Sequence, residues 1–253
     1  MIARLQTGAL AALLSVLALA GIPRAAAAQS KADAFAGRIP PVSGQLFQKA
    51  GRLELTAGGD LSLNDAFFTK YFGGVELGYH LSESWAFSAH AAGGLAARSG
   101  SAVVCTTGTG CSNATDTMLR QVPGRIRGLA SAGLSWAPVY GKLNVLAEKV
   151  AHFDLSLLAG VDLVAHDEVL SKADAEALAL GGGSPKLKTS TGFHVGVGAR
   201  LFISQAIAAR LVLKDVVYAV KVPNNGAASD WQNQLFTEIG LSFFFPTHNR
   251  VQR

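Results

Sequence analysis

The chain has 253 residues, of which 49% are hydrophobic and 15% are charged, and its formal net charge is +5. Two of its arginines fall within the first 28 residues and no basic patch follows them, so the composition excludes nucleic acid as an expected partner. The 28 glycines suit strands whose backbones pass closely, and the length allows a single domain.

The N-terminus predicts export. Arg4 precedes an apolar run over residues 5–20, and the alanines at 26–28 supply small residues for cleavage before Gln29. We therefore expect a cleaved signal peptide at 1–28 and a polar leader at 29–49 that lies outside the folded domain, on the periplasmic side. No later stretch reaches the ~20 continuous apolar residues that a spanning helix needs. Such a chain is periplasmic, secreted or a barrel in an outer membrane.

Eight segments show the alternation of β-strands. Between Phe193 and Leu201 every odd position is apolar, and the positions between them hold His194, two glycines and Arg200. Period two is the strand period, and it resumes after a tight turn, although Val212 interrupts the polar positions and Asp215 the apolar ones. The predicted strands are 50–59, 70–81, 84–95, 123–137, 152–164, the two strands of a hairpin within 191–218, and 232–245.

Loop lengths distinguish a membrane barrel from a soluble one. Long polar connections alternate along the chain with shorter ones, as in an outer-membrane barrel, whereas a soluble sandwich has no reason to sort its loops. The long connections are near 60–69, 96–122, 165–189 and 219–231, and the others are near 82–83, 138–151 and 203–205.

The predicted fold is therefore all-β. We expect an eight-stranded antiparallel transmembrane β-barrel over 50–246, with short periplasmic turns, longer outer loops and a C-terminal tail at 247–253, located in a bacterial outer membrane. Helical spacing of apolar residues predicts a short helix within 138–151. Ser171 and Asp174 are spaced like a capping box and predict another helix at 171–180.

Aromatic residues cluster near both proposed rims of the barrel. Rings at both interfaces are typical of a membrane girdle, since an amphipathic ring prefers the headgroup level, and the alternative is a set of core aromatics in a soluble barrel. The predicted girdle consists of Tyr79, Trp85, Trp136, Tyr140, Tyr218, Trp231, Phe243 and Phe245.

The polar positions of the strands predict a charged lumen. An eight-stranded barrel is just wide enough for side chains to fill, and enclosed charges must be paired. We expect one charge network and, because the first and last strands close the barrel, Arg52 or Glu54 near Glu238. The predicted network is Arg52, Glu54, Glu76, Asp154, Arg200, Arg210 and Glu238, and His80, His90, Arg127, His194 and Lys214 are also expected to face inward.

Two further chemistries can be drawn from the sequence. An enzyme would take a Ser/His/Asp group from Ser88, Ser156, His90, His194 and Asp154, but no nucleophile motif accompanies these residues. Cys105 and Cys111 lie in a predicted outer loop and, in an exported protein, are expected to form a disulfide. A zinc pair is the alternative, although no histidine lies nearby in the sequence.

Several short motifs carry a family resemblance. They are Gly51–Thr56, Leu63–Phe67, Tyr71–Gly74, Leu77–Glu83, Pro138–Lys142 and His152–Asp154. Over residues 48–246 the chain resembles the outer-membrane β-barrel domain family common in myxobacteria and their relatives. The resemblance implies a small outer-membrane barrel, some of whose relatives belong to envelope-spanning gliding-motility machinery, and it offers no catalytic motif to transfer. One departure is that Phe245 is followed by further residues, whereas outer-membrane strands often end the chain at an aromatic.

The sequence thus predicts a non-enzymatic structural or interaction component of the cell envelope. Its expected partners are outer-membrane lipid and periplasmic or outer-membrane proteins, with no nucleic acid, no cofactor and no metal. The alternative is a small-molecule binder or narrow channel, either in the membrane or as a soluble lipocalin-like barrel.

Overall fold

A computed structural model describes residues 47–106, 110–145, 149–223 and 229–247. The predicted signal peptide and most of the leader and of the tail lie outside these residues. The strands are β1 (Leu53–Ser62), β2 (Phe68–His80), β3 (Trp85–Arg98), β4 (Val103–Thr106), β5 (Gly110–Asn113), β6 (Ile126–Val145), β7 (Lys149–Asp167), β8 (Leu187–Phe202), β9 (Ile207–Lys221) and β10 (Ser229–Phe245). The helices are α1 (Asp116–Leu119) and α2 (Lys172–Leu180).

Eight of these strands form a closed antiparallel barrel, which confirms the predicted fold. Each strand pairs with its neighbours in the chain, and β1 closes the ring against β10. The hairpin of β4 and β5 is a separate two-stranded sheet within the connection from β3 to β6. In the part of the chain that the structure describes, no helix is long and apolar enough to cross a membrane.

Connections of different lengths lie at the two ends of the barrel. One end, here called the short-turn end, carries the turns 81–84 and 203–206 and the start of β1. The other, the long-loop end, carries the connections 63–67, 99–125, 168–186 and 222–228. The predicted sorting of loops is therefore present in the fold.

The predicted helix within 138–151 is wrong. Its described residues belong to β6 and β7, which form one long hairpin that pairs from Val139 and Leu155 outward to Val145 and Lys149. Leu143 and Val150, the described residues of the helical spacing, lie on different strands of this hairpin, so the spacing runs across the connection between β6 and β7. A β-bulge between Trp136 and Val139 precedes them in β6. Pro138 lies in that bulge, where its missing N–H costs no ladder hydrogen bond.

The end of this hairpin projects beyond the barrel wall. Pairing of β3 with β6 stops at Trp136, and pairing of β8 with β7 stops at His152. The segments 143–145 and 149–151 are thus a two-stranded extension at the short-turn end, here called the β6–β7 ribbon.

The helix predicted at 171–180 is confirmed as α2. Ser171 is its N-cap, and its hydroxyl accepts a hydrogen bond from the backbone N–H of Asp174 at 3.2 Å. The same hydroxyl donates to the Asp174 carboxylate at 2.6 Å, so the cap satisfies a backbone donor that the first turn would otherwise leave unpaired.

Candidate functional site

The outward face of the barrel is an apolar belt. Large aliphatic and aromatic side chains are exposed at alternate positions on neighbouring strands, for example Leu55, Leu77 and Phe243, which are aligned across β1, β2 and β10. Other members are Val75, Phe87, Leu134, Leu155, Leu157, Val161, Phe193, Val197, Leu211, Ile239 and Leu241. A belt this continuous would be an unfavourable surface in water, but it matches the lipid-facing side of a membrane barrel.

Six of the predicted girdle aromatics lie on this outward face. Tyr79, Trp85, Phe243 and Phe245 are exposed near the short-turn end, where Trp136 stacks on Trp85 with 6.0 Å between the ring centroids. The sixth, Trp231, is exposed near the long-loop end.

Tyr140 and Tyr218 do not belong to the girdle. Tyr218 is 1% exposed and lies on the inward face of β9, where its ring packs 6.0 Å from that of His166. Tyr140 follows the bulge of β6, so its side chain turns toward the barrel end and the Tyr140 hydroxyl lies 2.8 Å from His152 Nδ1. The sequence predicts how far along its strand each aromatic residue lies. The face that the residue occupies depends on whether its position is an inward or an outward one in the alternation of that strand, and in β6 the bulge shifts this alternation.

Arg200 is the centre of the charged part of the lumen. Its Nε and Nη2 donate to the two oxygens of Glu54 at 3.1 and 2.9 Å, and its Nη1 donates to Asp154 at 2.9 Å. Lys49 adds a second cation to Asp154 at 2.6 Å, and His80 Nε2 lies 2.7 Å from Glu54. All five side chains are buried, so the strong pairing offsets their loss of water.

The residues just before β1 close the short-turn end. Phe47 stacks on Phe202 with 5.0 Å between centroids, and both pack with Ala208 and Phe244. Phe47 and Lys49 were expected outside the folded domain, yet both are buried in the barrel mouth. Phe47 is buried because it packs into the aromatic cluster, and Lys49 is buried because it pairs with the Asp154 carboxylate.

Arg52 contacts backbone carbonyl groups in this mouth. Its guanidinium donates to the carbonyl oxygens of Gln48 at 3.1 Å, Gln205 at 2.8 Å and Phe244 at 3.3 Å. Because β1 begins only at Leu53, Arg52 lies at the rim, where the turn carbonyls are within reach. It therefore ties the β8–β9 turn and the end of β10 to the start of the barrel.

A second charged layer lies farther along the lumen. Arg210 pairs with Glu76, and Lys214 pairs with Glu238. The residue opposite Glu238 on β1 is Asp60, while Glu54 lies opposite Phe244. The expectation that Glu238 approaches Arg52 or Glu54 is therefore wrong, because the residue opposite Glu238 lies six residues after Glu54 and eight after Arg52.

An apolar cluster, here called the apolar plug, lies in the half of the lumen toward the long-loop end. Phe72, Ile126, Leu129 and Phe236 are buried there as part of one cluster. Its other buried members are Val164, Val169, Val216, Tyr218 and Val220. This apolar plug was not predicted, since alternation alone assigned inward positions to polar residues.

Polar contacts lie beside the apolar plug at its outer edge. Lys70 donates to Asp65 and Gln234, and the Gln234 amide donates to Asn64 at 2.6 Å. Arg127 lies at the same end, outside the lumen, and donates to Asp167 at 2.8 Å. It was expected inside, but the bulge between Ile126 and Gly128 turns Ile126 inward instead.

The histidines and serines considered for catalysis belong to separate groups. His194 pairs with Asp162 at 3.0 Å, and His90 lies 3.7 Å from Asp60. The Ser156 hydroxyl donates to a carbonyl, that of Gly198, at 3.4 Å. Asp154 is paired with Arg200 and Lys49, so it is not oriented toward either histidine.

Cys105 and Cys111 are joined by a disulfide. They are directly opposite each other in the hairpin of β4 and β5. This hairpin belongs to the long connection between β3 and β6, so the bond joins two residues of a loop and not two strands of the barrel.

The chain matches no protein-family description and no curated protein. Among solved structures it is similar to the outer membrane protein OprG from Pseudomonas aeruginosa, at 15% identity and a TM-score of 0.45, over 78% of this chain and 97% of OprG. It is also similar to Neisserial surface protein A (12%, 0.37, 76% and 94%).

A third similar structure is Ail, the attachment invasion locus protein of Yersinia pestis, in complex with the heparin analogue sucrose octasulfate. The identity is 10% and the TM-score 0.37, over 78% of this chain and 99% of Ail. What the chain's own pairing and packing establish is the fold: a closed eight-stranded antiparallel β-barrel with a filled lumen.

Proposed function

We propose that the protein is a non-enzymatic component of the outer membrane, a plugged barrel that holds interaction surfaces in the cell envelope. The observation that carries the proposal is the inversion of polarity: an apolar belt outside and ion pairs inside. A water-soluble barrel places these two faces the other way round. The short-turn end would face the periplasm and the long-loop end the medium.

The filled lumen favours a structural role over a channel. The ion pairs of Arg200 and Arg210 lie between the aromatic mouth cluster and the apolar plug. The cavity beside Arg210 and Glu76 has a volume of about 20 Å³, room for one water molecule and not for a metabolite. An ion crossing the barrel would have to displace both the aromatic mouth cluster and the apolar plug.

The alternative, a small-molecule binder, finds a candidate cleft among the described residues. A cleft of about 480 Å³ opens at the long-loop end beside His166, Lys188 and Ser190. Its volume falls within the range of ligand pockets. Val169 belongs to both the cleft lining and the apolar plug, so a ligand there would sit above the lumen rather than pass through it.

The outward position of Asp215 is evidence for a protein partner within the membrane. It lies on the outward face of β9 between Val195 and Leu235, and its Oδ1 is covered but makes no hydrogen bond to any described residue. A carboxylate in a lipid-facing belt is unfavourable and often marks a contact with a partner. The complementary partner would be a membrane protein that brings a lysine or arginine to this face.

The β6–β7 ribbon offers a second surface, on the periplasmic side in the proposed orientation. Among the described residues no strand pairs with β6 beyond Trp136 on the β3 side, so its backbone edge could pair with an added strand. The resemblance to the myxobacterial barrel family extends the proposal to an envelope-spanning assembly for motility or adhesion.

Fractionation and gel mobility test the membrane assignment. We expect the mature chain to require detergent for extraction and to change mobility on heating in a gel. Recovery of the mature chain in the soluble periplasmic fraction would contradict the proposal.

Site-specific photocrosslinking tests the partner. A photoreactive residue in place of Val195, beside Asp215, should capture a membrane protein, and Asp215→Asn should reduce the yield. The matched control is Val75, which is also exposed on the belt but lies on β2. Equal capture from both positions would contradict a specific partner at Asp215.

A further inference from the structure

Asp60, His90 and Glu238 converge in the lumen from three different strands. Asp60 on β1 is directly opposite Glu238 on β10, and His90 reaches them from β3. One potential ligand atom from each residue lies within 4.8 Å of the other two. His90 Nε2 lies 3.7 Å from Asp60 Oδ2.

The charges around this cluster do not balance. Glu238 is paired with Lys214, and Glu76 is paired with Arg210. Asp60 is 6% exposed, and its Oδ2 makes no hydrogen bond to any residue that the structure describes. A buried carboxylate oxygen in this position is costly unless a proton or a cation joins it.

An ion-sized space adjoins the three side chains. The cavity of about 20 Å³ is lined by Asp60, His90 and Glu238, by glycines of β1, β2 and β10, and by the ion pair of Arg210 and Glu76. At one of these glycines, Gly74, an added Cβ would lie 2.8 Å from His90 Nε2, the nitrogen that faces Asp60. A side chain at position 74 would therefore displace the imidazole from the cluster.

We propose that Asp60, His90 and Glu238 bind one divalent transition-metal ion. One imidazole nitrogen with two carboxylates is a donor set for Zn²⁺ or Mn²⁺, whereas Ca²⁺ and Mg²⁺ prefer oxygen alone. Tetrahedral ligands at 2.0–2.2 Å from one ion are about 3.3–3.6 Å apart. His90 Nε2 and Asp60 Oδ2, 3.7 Å apart, already fit this spacing, whereas a pair of atoms at the 4.8 Å limit would have to approach by up to about 1.5 Å. The ion would link β1 to β10 and reinforce the seam at which the barrel closes.

Lys214 competes with the ion. Its Nζ contacts Glu238 and lies 3.4 Å from His90 Nδ1. Metal binding at Nε2 leaves the imidazole proton on Nδ1, so the ammonium group must turn away from the histidine and keep only its carboxylate contact. Removing this cation should therefore strengthen metal binding.

The barrel contains a matched control pair. Asp162 and His194 are both buried and 3.0 Å apart, as an Asp–His pair on other strands of the same lumen. They do not belong to any group of three potential metal ligands in the described part of the chain. Variants of this pair test whether a buried Asp–His pair alone is enough to bind Zn²⁺.

The experiment measures Zn²⁺ bound by the full-length mature protein refolded in detergent. Protein is refolded with Zn²⁺, free ion is removed by gel filtration, bound zinc is counted by mass spectrometry, and affinity is measured by competition with a chromophoric chelator. The heat-dependent gel shift shows that each variant is folded. We expect one zinc ion per wild-type chain.

Asp60→Asn and His90→Gln should each weaken binding by roughly 100-fold or more, beyond the effect of losing a residue that only supports a ligand. Gly74→Ala should weaken it with all three ligands retained, and Lys214→Met should tighten it. Asp162→Asn and His194→Gln should leave it unchanged. Absence of bound zinc in the wild type, or equal binding by wild type, Asp60→Asn and His90→Gln, would overturn the proposal.

Discussion

The two halves of the lumen are filled in different ways. Toward the short-turn end, Arg200 and Arg210 hold Glu54, Asp154 and Glu76 in buried ion pairs. Toward the long-loop end, the apolar plug around Phe72 and Phe236 fills the same cross-section with hydrocarbon. The interior of an eight-stranded barrel is just wide enough for side chains to fill, and both ion pairs and apolar side chains can fill it.

The comparison also shows that the two fillings respond differently to loss of a side chain. Removing one partner of a buried ion pair leaves a charge without compensation, whereas removing an apolar side chain leaves a void. The charged half is thus sensitive to the identity of each partner, and the apolar half to volume. Substitutions in each half therefore distinguish the cost of a lost ion-pair partner from the cost of lost side-chain volume.

The largest effect is expected for Arg200→Ala. Glu54 keeps His80 and Asp154 keeps Lys49, but the central cation is lost, so the free energy of unfolding should fall by about 3–5 kcal/mol. Urea unfolding in detergent, followed by tryptophan fluorescence and by the gel shift, measures it. The control is Lys188→Ala, which removes an exposed ion pair with Glu168 and should cost less than about 1 kcal/mol. Similar losses for both variants would show that the lumen is wet and its ion pairs weak.

In the apolar half, Leu129→Ala should cost about 2–4 kcal/mol through the cavity that it leaves. Leu134 on the same strand is the matched control, since it is 48% exposed on the belt whereas Leu129 is 4% exposed inside the plug. Lipid can fill the space left by Leu134→Ala, so its cost should be smaller. Equal costs in the same unfolding assay would mean that the plug is loosely packed.

A double-mutant cycle sharpens the comparison. Arg210→Met and Glu76→Gln should each destabilise the barrel, and the double variant should cost less than their sum by about 1–3 kcal/mol. The equivalent cycle on Leu129 and Val164, apolar neighbours across β6 and β7, should show weaker coupling. Additivity at Arg210 and Glu76 would contradict a direct pair in the folded lumen.

The smallest effect on the barrel is expected from reducing the disulfide. The bond between Cys105 and Cys111 closes a hairpin outside the barrel, so its chain-entropy contribution of about 2–3 kcal/mol should stay within that loop. Reduced and oxidised protein should unfold at the same urea concentration, while the reduced loop should be cut faster by protease. A shifted barrel transition would show that the loop packs on the strands more tightly than its pairing indicates.

The charged half could be predicted from the sequence, and the apolar half could not. Glu54, Arg200 and Arg210 stand at alternate positions among apolar residues, so period two assigns their face directly. Val212 and Val216 occupy the same face of β9 as Arg210, and in the sequence Val212 looks like a break in the pattern. Val216 packs with Phe236 and Val164 in the apolar plug, a contact that becomes visible only in the closed barrel.

Bulges and register account for the other differences. Each bulge of β6 shifts the strand alternation, so that Ile126 and Tyr140 occupy faces other than those predicted. No residue type in the sequence indicates the first bulge, between Ile126 and Gly128. Pro138 was a signal for the second, since proline within a strand points to a bulge or an edge. The cluster of Asp60, His90 and Glu238 depends on the register of three strands, and their spacing in the sequence has no metal-binding motif.

Conductance tests the central claim, that a membrane barrel is closed by its own side chains. Purified wild-type protein is inserted into planar lipid bilayers and the current is recorded over a range of voltages. We expect insertion without sustained channel currents, because ion pairs and the apolar plug both fill the lumen. Sustained large conductance from folded wild-type protein would contradict it.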